Sequence, residues 1–207
     1  MYIPHYYKNE NLDEVKEFIE LNSFGILVNQ VDGKPWATHI PLELEKDANG
    51  KDVLVGHIAK ANAQWKSFND DTEVLCIFNG PHAYVSSSWY QKEEVPTWDY
   101  IAVHVYGKLS VLNEEETMQA LHRLVEKYEA SSKNPVSLHE MSPKTLRQVK
   151  GVVGFKIEIT EIQAAYKLSQ TRPEDHHTII KHLQRRGVTA SEVARHIEKQ
   201  SRTNQNN

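Results

Sequence analysis

The densest gathering of polar and aromatic side chains runs from Gly56 to Trp65, Gly-His-Ile-Ala-Lys-Ala-Asn-Ala-Gln-Trp. A strand that runs out into small residues bearing Lys60 and Asn62 can turn backbone N–H groups and an ammonium toward one phosphate, as helix N-termini and backbone nests do. The same residue types also suit a solvated surface turn. Aromatic residues gather in Trp36 to Leu42, in Gly80 to Tyr90 and in Val95 to Tyr100, and with Gly56 to Trp65 these segments hold all four tryptophans (Trp36, Trp65, Trp89, Trp98). Flat aromatic walls with a few polar groups suit a planar ligand. They equally suit a core or a dimer interface. Pro41, inside an apolar run, removes a ladder donor and so marks a sheet edge or a bulge.

Eleven histidines invite a metal reading that the spacing does not support. His39, His57, His82 and His104 fall on different expected strands, HExxH and His-x-His are absent, and Cys76 has no thiol partner, so no metal is expected. Nucleophilic catalysis fares no better. Ser86 to Ser88 lack a Gly-x-Ser-x-Gly elbow, and Cys76 sits in an apolar run where its thiol stays neutral. Neither GxGxxG nor a phosphate-loop lysine motif occurs.

A chain of 207 residues, 39% hydrophobic and 25% charged, can bury a full core without disulfides or a structural metal, and it is neither disordered nor collagen-like. A lone cysteine fits a reducing compartment, and no leader or membrane-length apolar run is present, so the cytoplasm is expected. The net charge of −4 opposes wrapping by nucleic acid. Residues 172 to 207 are the exception, with seven Lys and Arg against four acids.

Periodicity supplies the elements that must hold these residues. Asn11 with Glu14 opens a helix over 11–22, with Leu12, Val15, Phe18 and Ile19 on one face. Residues 24–31 and 35–44, joined by Asp32-Gly33-Lys34, read as a hairpin. Asp47 to Gly50 is a second reversal. Residues 53–58, 74–78, 83–87 and 100–111 add strands, six in all before residue 112. Asn113 with Glu116 caps a helix whose apolar face is Met118, Leu121, Leu124, Val125 and Tyr128. Ser142-Pro143 starts a short helix, and residues 153–160 alternate as a half-buried strand. Two helices close the chain, the second opened by a capping box of Thr189 and Glu192, and the polar end 201–207 frays. The fold class expected is mainly β with helices, a closed or partly closed β-barrel decorated by α-helices.

Several blocks in order, GKPWATHIPL (33–42), GHIAKANAQW (56–65), IFNGPHAYVSSSWY (77–90), VPTWDYIAVHVYG (95–107) and VVGFKIEITEIQAAYKLSQTRP (152–173), with the opening MYIPHYY, resemble the PaiB family of FMN-binding negative transcriptional regulators. The resemblance spans residues 1 to about 185 and implies an FMN-binding split barrel. It implies a homodimer with a flavin site near the subunit interface, and regulation of protease synthesis and sporulation genes. Carried onto this chain, Thr38, His39 and Ile40 would face the isoalloxazine ring. His57, Lys60, Asn62, Gln64 and Trp65 would take the ribityl-phosphate end, and Trp98, Tyr100, Lys167, Ser169 and Gln170 would line the pocket from the partner subunit. The oxidase relatives carry an Arg-Lys pair on the phosphate loop where this chain has Lys60 alone, which implies modest FMN affinity or another ligand.

These features divide the chain into a barrel domain over 1–173, with a helical insertion at 113–150, and a basic helical tail over 174–207. In the tail Arg185, Arg186, Ser191, Arg195 and Lys199 have the placing of a DNA-reading helix-turn-helix. Its stripe of Ile179, Leu183, Val193 and Ile197 would serve simple packing as well. Two functions therefore stand: a regulator that acts on DNA itself or through a protein partner, and an FMN-dependent oxidoreductase of a small molecule. The fold alone does not choose between them.

Overall fold

The computed structural model describes residues 1–69 and 72–205. Six strands, β1 (Phe24–Val31), β2 (Lys34–Lys46), β3 (Asp52–Ala59), β4 (Thr72–Val85), β5 (Thr97–Val111) and β6 (Val152–Lys167), form a closed barrel in the order β1-β2-β3-β6-β5-β4. Five α-helices accompany them among the described residues: α1 (Leu12–Leu21), α2 (Glu114–Glu129), α3 (Pro143–Leu146), α4 (His176–Leu183) and α5 (Val188–Gln205). Among the described residues no helix is long and apolar enough to cross a membrane. The chain divides into two compact units, one of Met1–Val15, Asn79–His104 and Gln163–Asn207, the other of Lys16–Phe78 and Val105–Ile162.

In the second unit β1 and β2 form the expected hairpin, with Asp32 at φ 51 and Gly33 at φ 74. Positive φ at both central residues is what a tight reversal between right-twisted strands requires. Residues 34–41 of β2 pair with β1 and residues 42–46 with β3, so Pro41 is the last residue on one ladder before the strand changes neighbours. The missing donor falls where the ladder ends. The core of this unit is Ile19, Leu27, Leu42, Leu54, Ile58, Cys76, Phe78, Phe155 and Ile157. Burial raises the Cys76 thiol far above its ordinary range and keeps it neutral.

Helix α2 starts at the expected capping box, the Asn113 side chain accepting from Glu116 N–H and the Glu116 carboxylate from Asn113 N–H. It is fastened to β2 by Arg123 on Glu45 (2.9 Å) and by Lys127 and the Tyr128 hydroxyl on Glu43 (2.5 and 2.8 Å). The buried residue on α2 is Thr117, set directly over Gly154 of β6, while Tyr128 stays half exposed. A Cβ at Gly154 would overlap the Thr117 side chain.

In the first unit α4 and α5 bury Ile179, Leu183, Val193, Ala194 and Ile197 completely. The rings of Trp89 and His182 stack 4.8 Å apart, and the Arg186 guanidinium lies 4.5 Å from the Trp89 ring centre.

Three expectations need correction. The segments 74–78 and 83–85 are one strand, β4, in which the buried positions change from 74, 76 and 78 to 81, 83 and 85 across Asn79-Gly80, a change of parity that disguised its continuity, and Ser86 and Ser87, expected in a strand, instead open the 3-10 helix Ser87–Trp89. Thr189 does not cap α5, because the helix already begins at Val188, with Ser191 N–H bonded to the Gly187 carbonyl. The polar end is helical through Gln205, while Asn206 and Asn207 lie outside the described residues.

Overpacking a tight seam costs about 1–3 kcal/mol, so Gly154→Ala should lower the urea midpoint by that equivalent with an unchanged slope. Thr117→Ala in the same chain should return part of the loss, measured as a double-mutant cycle.

Candidate functional site

Strand β3 runs out at Ala59, and Lys60 N–H bonds the Gly151 carbonyl (2.8 Å), drawing the Lys60 turn toward the start of β6. The 3-10 helix Ala63–Ser67 follows, capped by the Asn62 side chain accepting from Gln64 N–H (3.0 Å). Gln64, fully buried, is the hub of this turn. Its amide NH2 donates to Asn29 Oδ1 (2.9 Å) and to the Leu27 and Trp36 carbonyls (3.3 and 3.4 Å), and its Oε1 accepts from Thr38 Oγ1 (2.5 Å). Asn62 Nδ2 in turn donates to Thr38 Oγ1 (2.9 Å). Thr38, Asn62 and Gln64, three of the residues carried over to a cofactor, are thus brought into one internal network.

Lys60 and Trp65 border a cleft of about 550 Å³. Trp65 is fixed by its indole N–H on the Lys60 carbonyl (2.8 Å). The cleft's apolar wall includes Val111, Met118, Leu146 and Val153, and Lys150 lines it as well. A cleft of this size is of ligand-binding dimensions, and its apolar wall is edged by the carboxylates of Glu114 and Glu115 as well as by the two lysines. Lys150 is a second cation beside Lys60 that the sequence reading did not single out. His57, half buried on β3 opposite Gly154, has its pKa lowered by burial. Ile40 is buried, and His39 is exposed on β2 with its ring centre 6.5 Å from that of Phe24.

The first unit holds the other residues carried over. On β5 the buried positions run Asp99, Ile101, Val103, so a carboxylate occupies the core-facing register while Trp98 is exposed and Tyr100 half buried. Asp99 is fully buried. Its Oδ2 accepts from Ser169 Oγ (2.6 Å), Lys167 Nζ lies 4.0 Å from Oδ1, and Oδ1 has no hydrogen-bond partner among the described residues. Burial raises the Asp99 pKa above the ordinary carboxylate range, with Ser169 and Lys167 opposing the shift. Burial likewise lowers the Lys167 pKa.

Lys167 donates to Thr97 Oγ1 and to the Trp98 carbonyl (2.6 Å), and its ammonium lies 5.6 Å from the Tyr7 ring centre. Ser169 adopts φ 57, a left-handed conformation costly for a residue with a side chain, and its carbonyl is held by His176 Nε2 (2.9 Å). Arg172 covers Tyr90 at 4.1 Å from its ring centre. Gln170 folds back on its own turn, accepting from Leu168 N–H and donating to the Tyr166 carbonyl. Asp99 and Arg172 were not singled out from sequence, although the alternation Asp99-Ile101-Val103 already carries the signal for the first.

Of the basic residues read as DNA contacts, Arg186 is spent on Trp89 and the Tyr84 carbonyl (3.2 Å), and Lys199 pairs with Glu14 (3.1 Å). The Ser191 hydroxyl bonds the Gly187 carbonyl (2.8 Å), and Arg185 and Arg195 are exposed.

A six-stranded closed barrel bearing helices places the protein in the split-barrel fold class. Solved structures of this fold include the flavocytochrome Anf3 of Azotobacter vinelandii, with a TM-score of 0.61, 13% identity and coverage of 78% of this chain and 70% of that one. An FAD- and heme-binding protein of Mycobacterium smegmatis gives a TM-score of 0.60 at 12% identity, covering 78% and 73% of the two chains. Within that class, residues 1–161 match the family described as "Putative FMN-binding domain". A Bacillus subtilis protein named "Protease synthase and sporulation protein PAI 2" is 50% identical over 186 residues, 89% of each chain. The chain belongs to the PaiB family of FMN-binding-domain proteins. An uncharacterized protein of Emericella nidulans is 28% identical over 82% of this chain and 84% of its own. FMN is the cofactor that this membership supports.

Because Asp99 resists ionisation when folded, its contribution to stability is fully present below the ordinary carboxylate pKa and is lost as pH rises through its raised folded value. Asp99→Asn should therefore gain on the native protein as pH rises from about 4 toward neutrality. Urea unfolding across that range measures the difference; a pH-independent gap would reject a buried, reluctant carboxyl.

Proposed function

We propose that the protein is a homodimeric, cytoplasmic, FMN-binding negative regulator of transcription, acting on protease-synthesis and sporulation genes. The observation that carries this reading is the 50% identity, over 89% of both chains, to the Bacillus subtilis protein named for protease synthesis and sporulation. The cleft beside Lys60 is proposed as the cofactor's site. Its charged lining balances Lys60 and Lys150 against Glu114 and Glu115; the two lysines would take the phosphate, and Trp65 with the apolar wall offers a surface to a flat ring. Gln64 and Asn62 act as positioning residues, since their amides are engaged in the network that sets the Lys60 turn. FMN would supply a redox-active ring there; this chain's residues bind and orient it.

The partner subunit is proposed to meet the outer face of the β1–β2 hairpin, where Phe24, 67% exposed, shares a face with Ile26, Val28 and His39. Apolar residues gathered on one strand face mark an interaction surface. Trp98, Tyr100, Lys167, Ser169 and Gln170 are proposed to complete the pocket across the dimer. The C-terminal helices are proposed to meet DNA through Arg185 and Arg195, the two cations of the five candidates that stay exposed without a described partner.

Purified protein titrated with FMN should show a bound-flavin absorbance spectrum and dimer mass in light scattering. A monomer that leaves the FMN spectrum unaltered would overturn the reading. Lys60→Ala should weaken FMN about tenfold to more than a hundredfold, the range for a charge-assisted phosphate contact. The pair Arg185→Ala and Arg195→Ala should lower affinity for promoter DNA and flatten its salt dependence while leaving the FMN titration unchanged.

A further inference from the structure

We propose that His122, Glu126 and His139 form a binding site for a divalent transition metal of the zinc type. His122 and Glu126 stand four residues apart on α2 and therefore share one face of the helix. His139 comes from the 3-10 helix Leu138–Glu140, which returns along α2 after the chain has turned at residues 130–136. The return is built. Val136 N–H bonds the Glu129 carboxylate (3.0 Å), Ser137 caps His139 N–H (3.3 Å), and Leu138 is buried.

One ligand atom from each of the three side chains lies within 4.8 Å of the other two. The two imidazoles stack with ring centres 4.0 Å apart and planes at 25°. Nδ1 of His122 is buried and has no hydrogen-bond partner among the described residues. A buried imidazole nitrogen without a partner is costly, and a metal, or a carboxylate drawn in behind a metal-bound ring, relieves it.

The donor set selects the ion. Two imidazoles and a carboxylate suit Zn²⁺, Ni²⁺ or Cu²⁺, whereas Mg²⁺ and Ca²⁺ take oxygen shells. Tetrahedral zinc with bonds of about 2.0–2.1 Å brings its ligand atoms to roughly 3.4 Å apart, so the exposed Glu126 and His139 must turn, the latter out of its stack on His122, to close on the ion. The neighbouring cations of α2 do not intrude, for Arg123 is turned to Glu45 and Lys127 to Glu43. Three protein ligands leave a fourth position for water. Occupancy would tie the segment after α2 back onto the helix.

The test uses the full chain, treated with chelator and then titrated with Co²⁺ and Zn²⁺. Visible Co²⁺ bands saturating at one equivalent and a raised unfolding temperature with Zn²⁺ are expected. Glu126→Gln and His139→Asn change exposed side chains and should leave the metal-free fold intact. Each should weaken Zn²⁺ by more than the roughly 10- to 100-fold that losing an outer-shell partner costs. Failure of the native chain to bind at micromolar metal would overturn the site, as would equal binding by native and variant chains, which would assign the metal to other histidines. The FMN titration is independent of either outcome.

Discussion

A single amide side chain organises the turn on which the cofactor reading rests. Gln64 is buried, and nearly every hydrogen-bonding position it offers is taken: by Thr38 on β2, by Asn29 on β1, and by the backbone of both strands. Removing one partner from such a network strands the others in a low-dielectric interior at a cost of about 1–3 kcal/mol for each group left unpaired. The 3-10 helix after β3 is therefore held from inside, and Lys60 and Trp65 at the cleft inherit its position. The residues that face a ligand need not be those that define the site.

The first unit is organised on a different principle. Asp99, Lys167 and Ser169 place a carboxyl, an ammonium and a hydroxyl in the interior, and the backbone at Ser169 is held left-handed by His176. Burial works against both charges at once, raising the acid and lowering the base. Isolated charges of this kind are expensive, so such clusters persist where a site requires them or where mutual pairing offsets the cost.

The elements were legible in the sequence wherever local chemistry and tertiary packing agree. The Asn113–Glu116 box, the Asp32-Gly33 turn and the alternation from Val153 onward each state their structure within a few residues. Legibility failed where the signal is non-local. Strand β4 looked like two because its buried parity changes at Asn79-Gly80, and Leu12 shares the apolar stripe of α1 yet is exposed at the helix's first position. Within the candidate site, Lys60 and Trp65 could be named from their segment alone. Lys150, ninety residues away, joins them only through the pairing of β3 with β6. His139 meets His122 only because the chain doubles back after α2. The flavin class, in contrast, came from blocks of sequence rather than from any physical periodicity.

The parity change in β4 also bears on how this chain can diverge. Two residues in succession outside the buried set, Asn79 and Gly80, are what one extra residue in a strand produces, and β5 beside it keeps a single buried parity from Asp99 to Leu109. Deleting one of the two would restore plain alternation with Pro81, Ala83 and Val85 still inward, whereas deleting His82 would turn Ala83 and Val85 outward and bring Tyr84 into the interior. The strand thus carries one place where its length can change without turning the core inside out.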